Sequence, residues 1–223
     1  STTPWRCATD SRGRIQYLSR ADIGQEIWQN RAYAWNNRLP NQADNVLVTG
    51  QHSGLRTLPQ MEVDNPNLAT ALRDTGIRWI ASDASRERDI RQIGPATTVP
   101  RYPMNIFYNN AFKDQAVDEY NWIYNSRADG GSGICEDNPA TTTCIAPLDP
   151  ATDFDAYIVP LEARIALGHV LANDARPHFS HQANLTGDRI LYPVIDLMNA
   201  TYRDLFADNS PLLNPTMQAA GAE

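Results

Sequence analysis

The feature that most constrains the fold is one complete strand–helix–strand unit. Residues 45–49 (NVLVT) form a short apolar run that is typical of a buried strand. Asn65 and Pro66 predict the start of a helix, since Asn caps a first turn and Pro loses no hydrogen bond there. Gly76 predicts the end of that helix, and residues 77–81 (IRWIA) give the next strand. A unit of this kind predicts an α/β fold with parallel strands.

The rest of the chain continues to alternate strands and helices, which favours a largely parallel sheet. We therefore predict a partial, distorted (β/α) barrel with outer helices, formed by one domain over residues 1–208 and followed by a flexible tail at 209–223. The long helix predicted at 154–172 is expected to kink at Pro160. The remaining predicted elements are helices at 21–38, 114–126, 154–172 and 188–206 and strands at 97–99 and 178–180.

The charge of the chain excludes a polyanionic partner such as nucleic acid. The net charge is −7 over 223 residues, so no basic face is expected that could release counterions. No run approaches the roughly 20 apolar residues that a membrane-spanning helix needs. The chain opens at Ser1 without an apolar leader, so we expect a processed or truncated chain.

The three cysteines of the chain indicate whether the protein is secreted into an oxidising environment. Cys135 and Cys144 lie in a loop rich in Gly, Asp, Pro and Thr, and a disulfide between them would stabilise a segment with little core of its own. Two free thiols are the alternative, and Cys7 is left without a partner. The predicted disulfide, with glycosylation sequons at Asn184 and Asn199, favours a secreted or extracellular protein.

Polar side chains follow four predicted strands in succession. Parallel α/β folds bind ligands at the carboxyl ends of their strands, so we expect a site there. Helix caps and turn formers are the alternative explanation for the same residues. In chain order the side chains are Gln51, His52, Ser53, Ser82, Asp83, Ser85, Arg101, His181, Gln182 and Asn184.

Several of these residues also have structural interpretations. His52 suits an acid, a substrate donor or a satisfied structural histidine, and Asp83 suits a substrate contact or a helix cap. Arg101 lies in a Pro-Arg-Tyr-Pro run, where a rigidly held guanidinium suits the orientation of a carboxylate. A structural salt bridge is the alternative. His178 and His181 point to opposite faces of a strand, so no shared metal is expected, and His169 is expected at the surface or in the core.

The absence of several known catalytic motifs narrows the classes of reaction that the chain could catalyse. The sequence contains no nucleophile elbow, phosphate loop, dinucleotide fingerprint, CxxC pair or HExxH. Covalent serine catalysis and nucleotide chemistry are therefore disfavoured. Single histidines above a sheet favour general acid–base catalysis.

Five short sequence motifs occur in a fixed order along the chain. They are Gly50–Leu55 (GQHSGL), Asn67-Leu68, Ser82–Ser85 (SDAS), Pro100–Pro103 (PRYP) and His181–Leu185 (HQANL). Together they resemble the secreted carbohydrate deacetylases of the fungal galactosaminogalactan deacetylase type, which are relatives of the polysaccharide deacetylase (NodB-homology) superfamily. The resemblance covers roughly residues 20–206.

The resemblance implies hydrolysis of N-acetyl groups on a hexosamine polymer, with acetate released. It implies a divalent metal, usually zinc, held by one Asp and two His, which activates a water molecule. Arg101 would orient the catalytic base, and His181 would protonate the leaving amine. The residues implied at the sugar site are Gln51, His52, Asp83, Tyr102 and Asn184.

The sequence lacks the metal-binding motifs of the family that it resembles. The sequence has no Asp-Asp pair and no His-x-x-x-His. We therefore expect the metal ligands in a missing N-terminal half of the barrel, on which activity would depend. The alternatives are a non-catalytic glycan-binding module and a metal-free lyase or glycosidase that uses His181 with Asp83.

Overall fold

The computed structural model describes residues 8–40, 42–57, 61–107, 109–206 and 210–223. The chain divides into two compact units that interleave along the sequence. The first unit comprises residues up to 102 with 175–177 and 215–223, and the second comprises 103–174 and 178–214.

The first unit is built around a sheet. The elements of this unit are α1 (Arg20–Asn36), β1 (Val46–Leu47), α2 (Leu68–Asp74), β2 (Trp79–Asp83), β3 (Gln92–Ile93), β4 (Ala96–Pro103) and, at the chain end, α7 (Met217–Ala222). The strand order is β1-β2-β4-β3. Strands β1, β2 and β4 are parallel, and β3 is antiparallel to β4. The predicted α/β class, a partial barrel with largely parallel strands and outer helices, is confirmed.

The strand–helix–strand prediction is confirmed by β1, α2 and β2. Helix α2 begins at Leu68 rather than directly after Asn65, because the Asn65 carboxamide first accepts a hydrogen bond from Asn67 N at 2.9 Å and closes a turn. The chain leaves α2 through Gly76, which has φ 71°. Apolar side chains of α2, of β2 and of the connection between them contribute to the core of the first unit: Leu68, Ala71, Leu72, Ile77 and Ile80.

The short hairpin between β3 and β4 was not predicted from the sequence. Gly94 forms its turn with φ 58°, and a Cβ atom there would lie 2.9 Å from the Ala69 carbonyl oxygen. The turn therefore needs glycine both for its backbone conformation and for its close approach to α2.

The second unit is mainly helical. Its elements are α3 (Lys113–Tyr124), α4 (Ile134–Asp137), α5 (Val159–Leu171), β5 (His178–Phe179) and α6 (Tyr192–Phe206). Pro160 is the second residue of α5, which continues directly from a π-helical turn at Phe154–Ile158. The core side chains come from α3, from that π-helical turn, and from α6 and the residues just before it: Val117, Phe154, Ile158, Ile190 and Val194.

Cys135 and Cys144 form the predicted disulfide. Cys7 lies outside the described residues. Residues 209–223, predicted as a flexible tail, include α7, in which Ala220 is buried. The mobility of this tail and the single domain over 1–208 stay predictions. No helix in the described ranges combines the length and the apolar character that crossing a bilayer requires.

Candidate functional site

Three predicted site residues lie together in the first unit, where parallel strands end. Asp83 of β2 and Arg101 of β4 are partners in the parallel register. His52 follows β1, and its Nε2 lies 3.7 Å from Asp83 Oδ2. Asp83 is therefore the common neighbour of the other two. We refer to His52, Asp83 and Arg101 as the strand-end cluster.

His52 is presented by a backbone turn in an unfavourable conformation. Gln51 and His52 both have positive φ, at 49° and 56°. Each non-glycine residue in this left-handed region costs about 1–3 kcal/mol. Three backbone hydrogen bonds hold the turn, from His52 N to Thr49 O at 3.3 Å, from Ser53 N to Gly50 O at 2.9 Å and from Leu55 N to His52 O at 3.0 Å. The imidazole is thus fixed against Asp83, while Gln51 is exposed.

Asp83 is held by its own chain. Its Oδ1 accepts hydrogen bonds from Ser85 N at 2.8 Å and from Ser85 Oγ at 2.7 Å. Its Oδ2 is the oxygen that faces His52. Asp83 therefore closes a turn, as the structural alternative expected, and presents a carboxylate oxygen in the cluster at the same time.

Arg101 is a mostly buried cation. Its Nε donates to the Ser82 carbonyl oxygen at 3.4 Å. Burial lowers the pKa of Arg101 from its ordinary value, and the negative charge of Asp83 opposes part of that change. The next residue, Tyr102, donates its backbone N–H to Pro177 O at 2.8 Å, and the Arg176 guanidinium lies 5.0 Å from the centre of its ring.

Two buried hydroxyl groups near the strand ends have no hydrogen-bond partner among the described residues. They are Thr49 Oγ1, after β1, and Ser82 Oγ, in β2. Ser82 is only 3% exposed, so its hydroxyl carries an uncompensated desolvation cost. From the sequence, Ser82 is among the polar residues that follow the predicted strand at 77–81 but has no assigned role, and Thr49 belongs to the predicted strand at 45–49.

A cavity of about 800 Å³ opens beside the cluster, within the first unit. Its walls are mostly apolar and come from α1 and β1. His52 and Thr49 reach it from the turn after β1, whereas Asp83 and Arg101 do not line it. Residues that form its walls include Ile23, Ile27, Val46 and Leu47.

His181 and Asn184 belong to the second unit. His181 precedes a 3-10 turn at Gln182–Leu185, and its backbone N–H donates to Asn184 Oδ1 at 2.9 Å. Asn184 is fully buried, and its amide also donates to the carbonyl oxygens of Phe107 and Asn110, each at 2.9 Å. These bonds support a structural role for Asn184. Its predicted contact with substrate and the convergence of His181 with Arg101 stay predictions.

A histidine pair in the second unit was not predicted. His169 Nδ1, on α5, lies 2.9 Å from His178 Nε2, on β5. The two rings are stacked, with centres 5.1 Å apart. Burial, reinforced by His169, lowers the pKa of His178 to about 4, although Asp174 opposes the change. From the sequence spacing, the partner considered for His178 is His181 rather than His169.

The second unit also contains a buried carboxyl group, that of Glu162 on α5. It accepts hydrogen bonds from Asn105 Nδ2 and Tyr120 Oη, both at 3.1 Å, and from Asn105 N at 3.3 Å. Burial raises the pKa of Glu162, and it also raises the pKa of nearby Tyr124 to about 12. This group is enclosed by the core of the unit.

The chain is similar in structure to Agd3, described as a novel carbohydrate deacetylase, with a TM-score of 0.64 and 17% sequence identity. The match covers 92% of this chain but 30% of Agd3, so the chain spans less than a third of that protein. This likeness shows the fold. No family model matches the sequence, and no curated protein matches it.

The likeness to Agd3 agrees, at the level of fold, with the carbohydrate deacetylase resemblance of the sequence. The fungal type and the superfamily stay predictions. The residues for the implied metal do not fit, because no group of three His, Cys, Asp or Glu in the described ranges could hold an ion. We therefore derive no step through a metal.

Proposed function

We propose that this chain is part of a carbohydrate deacetylase that hydrolyses the N-acetyl groups of a hexosamine polymer. The strand-end cluster carries the proposal: His52, Asp83 and Arg101 meet where parallel strands end. In α/β folds this edge of the sheet is where ligands bind. The structural likeness to the carbohydrate deacetylase Agd3 supports the same reading.

The reaction adds water to the acetyl carbonyl carbon, breaks the C–N bond and leaves acetate and a free amine. In our proposal Arg101 orients the carboxylate base that takes a proton from the water. His181 gives a proton to the departing nitrogen as a general acid. The residues proposed to bind the sugar are Gln51, His52, Asp83, Tyr102 and Asn184.

Arg101 suits an orienting role for physical reasons. Its guanidinium is held against Ser82 O and beside the charge of Asp83. A planar guanidinium retains its charge when buried and can donate two parallel hydrogen bonds to a carboxylate. The ammonium group of lysine has neither the planar shape nor the paired parallel donors of a guanidinium.

We also propose that the divalent metal, zinc in the family that the sequence resembles, is held by residues outside this chain. Zinc would lower the pKa of a bound water molecule. In this proposal the Asp and two His ligands are residues that do not belong to this chain. Secretion is part of the proposal, since the Cys135–Cys144 disulfide suits an oxidising compartment.

The test is acetate release from N-acetylhexosamine oligomers by the protein of the complete reading frame. We expect acetate and free amine in equal amounts, and at least tenfold slower turnover in His181→Ala, a cautious value below the usual range of about 10²–10⁴ for acid–base groups. A protein that binds the oligomers yet releases neither product would overturn the proposal.

That outcome would favour a non-catalytic glycan-binding module. One observation supports this alternative: Trp28 and Trp35 of α1 are 53% and 56% exposed. They are seven residues apart, about two helical turns, so they share a face on which sugar rings could stack. Trp28→Ala and Trp35→Ala should then weaken oligomer binding, which equilibrium titration measures.

A further inference from the structure

The second unit brings two imidazoles together through a short connection from α5 to β5. His169 lies in the last turn of α5, and His178 opens β5. Asn173 turns the chain between them with φ 55°, and Asp174 N donates to His169 O at 3.2 Å. The result is His169 Nδ1 facing His178 Nε2 at 2.9 Å.

This spacing is close to that of two nitrogen ligands on one metal ion. Zinc–imidazole bonds are about 2.0–2.1 Å long and roughly tetrahedral, which places two ligand nitrogens about 3.3 Å apart. To accept an ion, the pair would give up its hydrogen bond, separate by about 0.4 Å and turn each ring by roughly 35° so that both nitrogens point at the ion. Both residues are only partly buried, so an ion has access.

We propose that His169 and His178 form a two-histidine site for a divalent transition metal. Imidazole suits Zn²⁺, Ni²⁺ and Cu²⁺ rather than Mg²⁺ or Ca²⁺. Asp174 adds negative charge that acts on His178 and favours a bound cation. Water completes the coordination, because no third His, Cys, Asp or Glu in the described ranges joins the pair to form a ligand group.

Bound metal would fasten the end of α5 to the start of β5. The site differs in composition from the Asp-His-His site of the resembled deacetylases and does not depend on deacetylation. It uses neither His181 nor Arg101. Metal binding by His169 and His178 can therefore be tested even if the proposed deacetylase function is wrong, and the reverse also holds.

Calorimetric titration of the 223-residue protein with Zn²⁺, and separately with Ni²⁺, tests the site. We expect one equivalent of each ion to bind, and at least tenfold weaker binding in His169→Ala and in His178→Ala. His181→Ala is the matched control, because it removes a histidine of the same unit and should bind the ions like wild type. Equal affinity in all variants, or no binding below about 1 mM, a Kd that corresponds to about −4 kcal/mol, would overturn the proposal.

A measurement on the unaltered protein avoids dependence on variants that fail to fold. Long-range ¹H–¹⁵N spectra of the histidine rings report which nitrogens bind an ion. We expect Zn²⁺ to shift Nδ1 of His169 and Nε2 of His178. Zinc that binds without changing either resonance would place it elsewhere and reject this site.

Discussion

Asp83 in the first unit and Glu162 in the second are both carboxylates held inside the protein, yet they differ in what surrounds them. Glu162 is 2% exposed and receives three hydrogen bonds from Asn105 and Tyr120 within one packed core. The Asp83 side chain is 12% exposed, and only one of its oxygens is bound by Ser85.

The difference separates a structural carboxylate from a candidate functional one. Burial raises the pKa of Glu162, so by that criterion alone Glu162 would be the site. Its partners, however, are core side chains. Asp83 instead lies at a strand end, with His52 and Arg101 as neighbours. The position on the fold and the chemistry of the neighbours therefore identify a site better than burial does.

The largest expected effect is on activity, from Arg101→Ala. Under the proposed deacetylase function, turnover should fall at least tenfold, which is a cautious minimum beneath the usual contribution of about 10²–10⁴. The midpoint of urea unfolding should change little by comparison. Acetate release and urea denaturation measure the two effects, with Arg88→Ala as an exposed arginine control. Wild-type turnover would remove Arg101 from the mechanism.

Glu162→Ala should have the opposite profile. It leaves the Tyr120 hydroxyl and the Asn105 amide without their acceptor and opens a small cavity, so we expect a loss of about 2–4 kcal/mol of stability. Turnover per folded molecule should stay near wild type. Asp118→Ala, at an exposed position of α3, should cost less than about 0.5 kcal/mol. A turnover defect in Glu162→Ala without a loss of stability would break the comparison.

The pH dependence of stability gives a sharper test of Glu162. Its folded-state pKa lies above the ordinary value of 4.5, so the folded protein binds this proton more tightly than the unfolded chain does. The resulting stabilisation is complete below about pH 4.5 and is lost as the pH rises through the raised pKa. Wild type should therefore lose stability relative to Glu162→Gln from pH 4.5 upwards, as measured by urea unfolding. A difference independent of pH would contradict the raised pKa.

The smallest effect is expected at Ser82. Its hydroxyl is buried without a partner among the described residues, so Ser82→Ala should be neutral or stabilising by up to about 1 kcal/mol. Thr75→Val is the matched control, because Thr75 Oγ1 donates to Ala71 O at 2.8 Å and its loss should destabilise by about 1 kcal/mol. Thermal unfolding distinguishes the two. Clear destabilisation by Ser82→Ala would show that this hydroxyl has a partner.

The parts of the fold that local sequence determines were predicted well. An apolar run bounded by polar residues and Gly76 sufficed for β1, α2 and β2. Because parallel strands end at one edge, the same reasoning placed His52, Asp83 and Arg101 near one another. The disulfide was predicted from composition, since its loop has little core.

The features that escaped prediction depend on distant packing. β3 has two residues, Gln92 and Ile93, too few to show a period. A charged residue in a helix such as Glu162 is normally expected to face solvent, and only the apolar residues around it in the sequence indicate that it is buried. His169 faces His178 across a change from helix to strand, where neither the helical nor the strand period relates the two side chains.

The left-handed turn at Gln51 and His52 sets a limit on how far this protein can be made heat-resistant. Glycine in place of Gln51 would relieve strain worth about 1–3 kcal/mol, but it would also loosen the backbone that aims the imidazole at its carboxylate neighbour. Glycine in place of His52 would relieve similar strain but would remove the imidazole itself. Selection for thermal endurance and selection for alignment therefore act against each other at these two adjacent positions.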